Sequence, residues 1–166
     1  QWSGLYDSEA VDCSRLCATV LAALPNLHGN YEPKIVLGFM LIIWTSDSMA
    51  YFVGKTYGKT PLFISVSPKK TIEGFVGGLV GSLLLGWFLN DLLGVFSQTH
   101  WMIIAFVTCF MGTLGDLVQS KYKRSAGVKD SGNWMPGHGG LFDRMDSIIF
   151  AAPFIFLTIK IIEYVS

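Results

Sequence analysis

Apolar residues gather in four long blocks separated by short polar stretches. The first convincing block runs from Lys34 to Gly54, the second from Ile72 to Phe96, the third from Trp101 to Val118 and the fourth from Ile148 to Tyr164. About 20 residues at a helical rise of 1.5 Å cover about 30 Å, the hydrocarbon thickness of a bilayer. A lone apolar segment in lipid must satisfy its own backbone, so each block is predicted to be a helix. The pattern predicts an all-α, polytopic membrane bundle of about four spans. Residues 1–33 differ. Asp7, Glu9, Asp12 and Arg15 precede a short apolar run from Leu16 to Leu24 that Pro25 closes. That run is too short to span a bilayer, which makes 1–33 an interfacial segment or the tail of an upstream span, and 34–166 the membrane domain.

Composition agrees. Of 166 residues, 51% are hydrophobic and 14% charged, against roughly 25% charged in an average soluble domain; the mean hydropathy is +0.47. Twelve Lys/Arg balance twelve Asp/Glu. A disordered chain is excluded by the apolar content. With no basic excess to release counterions, a nucleic-acid partner is not expected. Cys13, Cys17 and Cys109 are too few and too scattered for a disulfide framework, and read as helix-packing residues. The chain starts at Gln1 without a signal sequence, which suggests a piece of a longer protein.

The position of the charges sharpens this picture. Between blocks two and three, Asp91 to His100 holds one acid and no Lys or Arg. The other two connections hold Lys55, Lys59, Lys69 and Lys70, then Lys121, Lys123, Arg124, Lys129 and Arg144, nine of the twelve cations. With four spans those two connections share one side, and the positive-inside rule makes it the cytoplasm. Lys160 and Glu163 are placed to snorkel from the last block. In the second block, Gly74, Gly78 and Ser82 form one small-xxx-small row and Gly77 and Gly81 another, which predicts close helix packing.

Candidate chemistry lies in the two basic connections. In the first, Ser67-Pro68 reads as a helix start, with a serine N-cap and proline at N1. Lys69 and Lys70 then fall in the first turn, where the helix dipole disfavours cations. Either a phosphate sits between them and the helix end, or they set topology and touch lipid phosphates. Gly54-Lys55-Thr56-Tyr57-Gly58-Lys59-Thr60 approaches a Walker loop but lacks its spacing.

In the second connection, Asp116, Ser120 and Lys123 share one helical face, and Asp143 and Asp146 stand at i, i+3 on the helix entering the last span. At one membrane depth these carboxylates can converge. Carboxylate oxygens beside a polyphosphate suit Mg²⁺, which binds through one or two of them plus substrate phosphates; the alternative is ion pairs with loop lysines. Gly137, Gly139 and Gly140 around His138 permit close backbone approach to a ligand. His138 is a substrate contact or a loop hydrogen bonder. Asp47 lies about 10 Å below the end of its span, and an intramembrane acid is a functional candidate by default.

These residues resemble the signature of the CDP-diacylglycerol synthase (phosphatidate cytidylyltransferase) family. Its pattern is met by Ser120, Lys123-Arg124, Lys129-Asp130, Gly132, Pro136, His138-Gly139-Gly140, Asp143-Arg144 and Asp146. Upstream, Asp47 to Lys55, Gly58-Lys59, Ser67-Pro68-Lys69-Lys70-Thr71, Glu73-Gly74 and Gly115-Asp116 also look like the family. One departure is Met135, a volume-conserving swap. The likeness covers about 34–166.

The resemblance implies the C-terminal catalytic part of an integral membrane enzyme that joins CTP to phosphatidic acid, releasing pyrophosphate and CDP-diacylglycerol for phospholipid synthesis. It implies Mg²⁺, with room for a second cation, a homodimer, and a bacterial inner-membrane location with the site facing the cytoplasm. On that reading Asp116 and Asp143 hold the metal and Asp146 supports them. Lys69 and Arg144 act in catalysis. Asp47, Ser67, Lys70, Lys123, Arg124, Lys129, His138, Gly139 and Gly140 bind substrate. The competing readings are another lipid nucleotidyl- or phosphotransferase, and an ion-coupled transporter fragment, for which the spans show no repeat symmetry.

Overall fold

A computed structural model describes residues 15, 17–26, 31–63, 67–125 and 142–165, with side chains described except at 26, 63, 67–69, 122–125 and 142–146. Residues 17–23 are helical and lead into a 3₁₀ turn, Leu24–Asn26. Four long helices follow: α1 (Pro33–Tyr57), α2 (Ile72–Leu93), α3 (Gln98–Ser125) and α4 (Phe142–Val165). All four include a stretch long and apolar enough to cross a membrane. The polytopic all-α class therefore holds, with one addition. A two-stranded antiparallel ribbon, β1 (Pro61–Phe63) and β2 (Ser67–Thr71), lies between α1 and α2.

The ribbon corrects one expectation. Ser67-Pro68 does not start a helix; it opens β2, and α2 begins five residues later at Ile72. Thr71 is the N-cap, its Oγ1 accepting from the Gly74 N–H at 3.2 Å. Serine and threonine both cap well, so local chemistry permits either start. Pairing of Pro61 with Thr71 and of Phe63 with Ser67 decides between them by holding the chain extended. Pro68 is compatible because both strands of a two-stranded ribbon are edges. Lys69 and Lys70 thus lie on β2, and the dipole argument for a phosphate beside them falls away.

The span ends also move. Block two stops at Leu93, because Gly94 takes the left-handed conformation (φ 66°) and donates its N–H to the Asn90 carbonyl at 2.9 Å. The Lys34 ammonium reaches the Leu93 carbonyl at the same helix end, at 3.4 Å. The turn to α3 is residues 94–97, displaced rather than lengthened, because α3 begins at Gln98, ahead of the predicted Trp101. α1 extends to Tyr57 and α3 to Ser125, each past the predicted block.

Close backbone approach organises the bundle. α1 and α2 run antiparallel along the two predicted rows of small residues. A Cβ added at Gly74 would meet the Ala50 carbonyl at 2.8 Å, and one at Gly78 the Ser46 carbonyl at 2.8 Å. The second row meets side chains instead: Gly77 faces Val53 and Gly81 faces Met49. In lipid such contacts draw helices together by dispersion, since no water is released. α3 runs parallel to α1, with Ser46 donating to the Cys109 sulfur at 3.2 Å and Gly38 under the Trp101 ring. Threonines 108, 113 and 158 return their hydroxyls to carbonyls four residues back, so these polar groups are satisfied within their own helices. Lys160 and Glu163 pair at 2.8 Å on α4.

The core gathers Leu24, Ile35, Phe39, Ile42, Leu89, Trp101, Ile104, Ala151, Ile155 and Ile159, all fully buried or nearly so. Leu24 brings the N-terminal segment into this core. Outward, Trp44, Phe52, Leu84, Phe88, Leu92, Phe106 and Leu157 stand exposed, an apolar mantle that water would not tolerate. Gly38 makes one packing prediction. A Cβ there would lie 2.7 Å from Trp101 Cζ3, so Gly38→Ala should destabilise the bundle by about 1–3 kcal/mol. Adding Trp101→Phe, which removes that part of the ring, should recover much of the loss. Thermal melting in detergent checks this; equal melting of the single and double variants would refute it.

Candidate active site

Helix directions bring three of the chain's segments to one end of the bundle. The end of α1, the start of α2 and the end of α3 lie together there, as Gly54 against Gly74 and the parallel α1–α3 contacts require. This is the end that carries Lys55, Lys59, Lys69, Lys70 and Lys121.

At its centre Lys70 of β2 forms an ion pair with Asp116 of α3, both side chains about one-third exposed. The sequence separates them by 46 residues. Ribbon and helix must both be in place for them to meet. A cation and a carboxylate half-shielded from water attract more strongly than a fully solvated pair, and each keeps a face open to a ligand.

The ribbon's base is fixed by a second cluster. Glu73, in the first turn of α2, accepts from the backbone N–H groups of Lys59 and Thr60 at 3.2 Å and from Thr60 Oγ1 at 2.9 Å. The Ile72 N–H donates to the Thr60 carbonyl at 3.0 Å. Thr71 packs where Gly58 lacks a Cβ; a side chain at 58 would meet Thr71 Cγ2 at 2.8 Å and the Gly54 carbonyl closer still. An acid in the first helical turn is also favoured by the dipole. The sequence reading gave Glu73 no role. Its signal was available as an acid two residues after a capping threonine.

Asp116 and Ser120 lie on α3 as predicted, and the helix continues through Lys123 and Arg124. Asp143, Arg144 and Asp146 fall within the first five residues of α4. α3 and α4 meet one turn further on. A Cβ at Gly115 would stand 2.6 Å from Phe150 Cβ, and one at Gly112 would stand 3.9 Å from Ser147 Cβ. Asp146 thus precedes, by one turn or roughly 6 Å of rise, the residue that packs beside Asp116's neighbour. Asp47 is apart from this group. Its neighbour Ser46 is level with Cys109, seven residues before Asp116, so it lies roughly 10 Å deeper along α1. It is exposed on that helix, and it engages in an interaction there. Ser67 and Lys69 lie on β2 beside Lys70. The predicted contacts at Lys129, His138, Gly139 and Gly140 fall outside the described residues, as does the rest of that connection. Among the described residues no group of three or more His, Cys, Asp or Glu forms a ready metal cage.

Four apolar helices with an apolar outer mantle and an ion-paired polar site at one end define an integral membrane protein of the helical-bundle class. The sequence profile of the cytidylyltransferase family matches residues 14–162, and the chain belongs to that family. The chain is 43% identical to a phosphatidate cytidylyltransferase of Bacillus subtilis (strain 168) over 147 residues, covering 88% of this chain and 54% of the relative. It is 42% identical to a protein of the same name from Haemophilus influenzae over 136 residues, 76% of this chain and 47% of the relative. A third, from Staphylococcus saprophyticus, is 44% identical over 120 residues, 71% of this chain and 46% of the relative. The chain spans about half the length of the curated relatives it matches.

Proposed function

We propose that the protein transfers the cytidylyl group of CTP to phosphatidic acid, giving CDP-diacylglycerol and pyrophosphate. The observation that carries this reading is the meeting of Lys70 and Asp116 at the basic end of a membrane bundle, in a chain 42–44% identical to phosphatidate cytidylyltransferases. The reaction needs a site at the bilayer edge, because CTP is water-soluble and phosphatidate is not. It needs anions brought together against their repulsion, and no covalent enzyme nucleophile. A phosphate oxygen of phosphatidate forms the bond to the α-phosphorus of CTP, the bond from that phosphorus to the β-phosphate's bridging oxygen breaks, and pyrophosphate leaves. Positioning and charge neutralisation are the catalytic tasks.

On this reading Lys70 binds substrate phosphate, with Lys69, Lys123, Arg124, Lys129 and Arg144 supplying further positive charge. The donor chemistry of Asp116 fits Mg²⁺: a hard, partly exposed carboxylate oxygen already placed against a cation. Asp116 and Asp143 would hold the metal, with Asp146 in support. Bound Mg²⁺ supplies charge neutralisation at the phosphates. His138, Gly139 and Gly140 contribute substrate contacts, and Asp47 lines the deeper part of the site. The same proposal puts the protein in a bacterial inner membrane, and the charge asymmetry supports a cytoplasmic position for the basic end. A homodimer belongs to the same proposal.

The test is CTP-dependent pyrophosphate release by the full-length protein in vesicles containing phosphatidate, phosphatidylglycerol or a polyprenyl phosphate. Phosphatidate should drive turnover; release driven by another lipid and not by phosphatidate would overturn the assignment. In the same assay Lys70→Ala should raise KM for CTP or phosphatidate about tenfold or more, the scale of one charge-assisted hydrogen bond. An unchanged KM for both substrates would remove Lys70 from the binding site.

A further inference from the structure

We propose that Glu73 is a positioning residue: it clamps the base of the β1–β2 ribbon to the start of α2 and thereby sets Lys70 against Asp116. This role rests on the reading of the Lys70–Asp116 site given above.

The geometry has three parts. First, the Glu73 carboxylate is occupied by the protein's own donors. Oε2 accepts from the Lys59 and Thr60 N–H groups at 3.2 Å each, and Oε1 accepts from the Thr60 N–H at 3.2 Å and the Thr60 hydroxyl at 2.9 Å. A carboxylate so engaged shapes the chain rather than meeting a phosphate, with which it would share negative charge. Second, those donors lie at the point where the chain leaves α1 and enters β1. The bonds therefore tie the entry of the ribbon to its exit, where the Ile72 N–H bonds the Thr60 carbonyl and Thr71 caps Gly74. Third, Lys70 stands one residue from Thr71, so its place is inherited from this joint.

The joint is solvent-accessible. Lys59 and Thr60 are exposed, so water replaces Glu73 as their partner if the carboxylate is removed. Loss of Glu73 should therefore leave the bundle's melting temperature nearly unchanged. Substrate binding through Lys70 should suffer instead, because a loosened ribbon must be ordered again at each encounter.

Glu73→Ala in the full-length protein should raise KM for CTP or phosphatidate about tenfold, with kcat changed less than about threefold. The double variant Glu73→Ala/Lys70→Ala should be no worse than Lys70→Ala alone, since one residue acts through the other. Hydrogen exchange gives a readout independent of activity. The Lys59, Thr60 and Ile72 amides should exchange about tenfold faster or more in Glu73→Ala, and Glu73→Gln, which keeps one accepting oxygen, should restore part of their protection. Unchanged exchange, an unchanged KM, or losses that multiply in the double variant would each overturn the role. If Lys70→Ala and Asp116→Asn also leave phosphatidate-dependent turnover unchanged, the reading of the site falls and this role with it. If those two respond and Glu73→Ala does not, this role alone falls.

Discussion

Asp116→Asn in the full-length protein is expected to cut turnover by roughly 10²- to 10³-fold, the scale of losing one preorganised electrostatic partner. The substitution preserves shape and removes the charge. In the structure that charge faces Lys70; in the proposed reaction it helps to hold Mg²⁺. Stability should change little. Both partners are about one-third exposed, and a pair that open to water contributes about 0–1 kcal/mol. For a chain of this length, such a loss moves the melting temperature by a few degrees at most, about 2–4 °C per kcal/mol. Pyrophosphate release and thermal melting on the same preparation separate the two effects. Turnover within tenfold of the parent protein would refute the assignment. Asp143→Asn should behave in the same direction.

Gly115→Ala should damage both stability and turnover, while Gly112→Ala should damage neither. In a helix, alanine normally outranks glycine by about 1 kcal/mol, so both changes would be favourable on an isolated α3. The neighbours reverse this at one position. At 112 the new methyl finds Ser147 Cβ at 3.9 Å, an ordinary contact. At 115 it finds Phe150 at 2.6 Å from Cβ and 2.8 Å from Cγ. The Cβ of Phe150 is fixed to the α4 backbone and cannot rotate away, so the helices must part. Overpacking of this kind costs about 1–3 kcal/mol. It also moves α4 relative to α3 beside Asp116, and a misplacement near 1 Å can lower turnover about 10²-fold. Circular dichroism melts and pyrophosphate release on the two variants check this; equal behaviour of the two would show that the α3–α4 contact does not set the site.

The spans were legible because four apolar blocks leave little choice in lipid, and the rows Gly74/Gly78 and Gly77/Gly81 announced close helix packing, though not that the partner is α1. Their ends were less legible. Gly94 marks the true end of α2, but the apolar Val95 and Phe96 beyond it extended the predicted block. The start of α2 was misplaced for a related reason. Ser67 and Thr71 are both good caps, with local chemistry favouring Ser67, and the choice rests on pairing with Pro61 and Phe63, which no local pattern encodes. Lys70 and Asp116 were each named as candidates, yet their meeting depends on the ribbon and on how α3 packs. Glu73 was visible only as part of the family likeness and as an acid after a capping threonine; its role was not, because its partners, two backbone N–H groups and the Thr60 hydroxyl, come together only when the ribbon forms.

The tight seam between α1 and α2 bears on how the protein responds to its bilayer. A membrane thinner than the apolar length of a helix is accommodated by tilting. α1 and α2 are coupled in tilt, because the carbonyls of Ser46 and Ala50 approach the glycines of α2 so closely that the two backbones pack with no side chain between them. They tilt as one plate, and the ribbon rooted at Thr71 is carried with them. α3, which holds Asp116, packs closely on α2 at the far end, where a Cβ at Gly86 would meet the Trp101 carbonyl at 3.0 Å, but near the site it meets α2 through larger side chains, Phe110 against Phe75. Changes in bilayer thickness therefore reach the site mainly through the angle between that plate and α3.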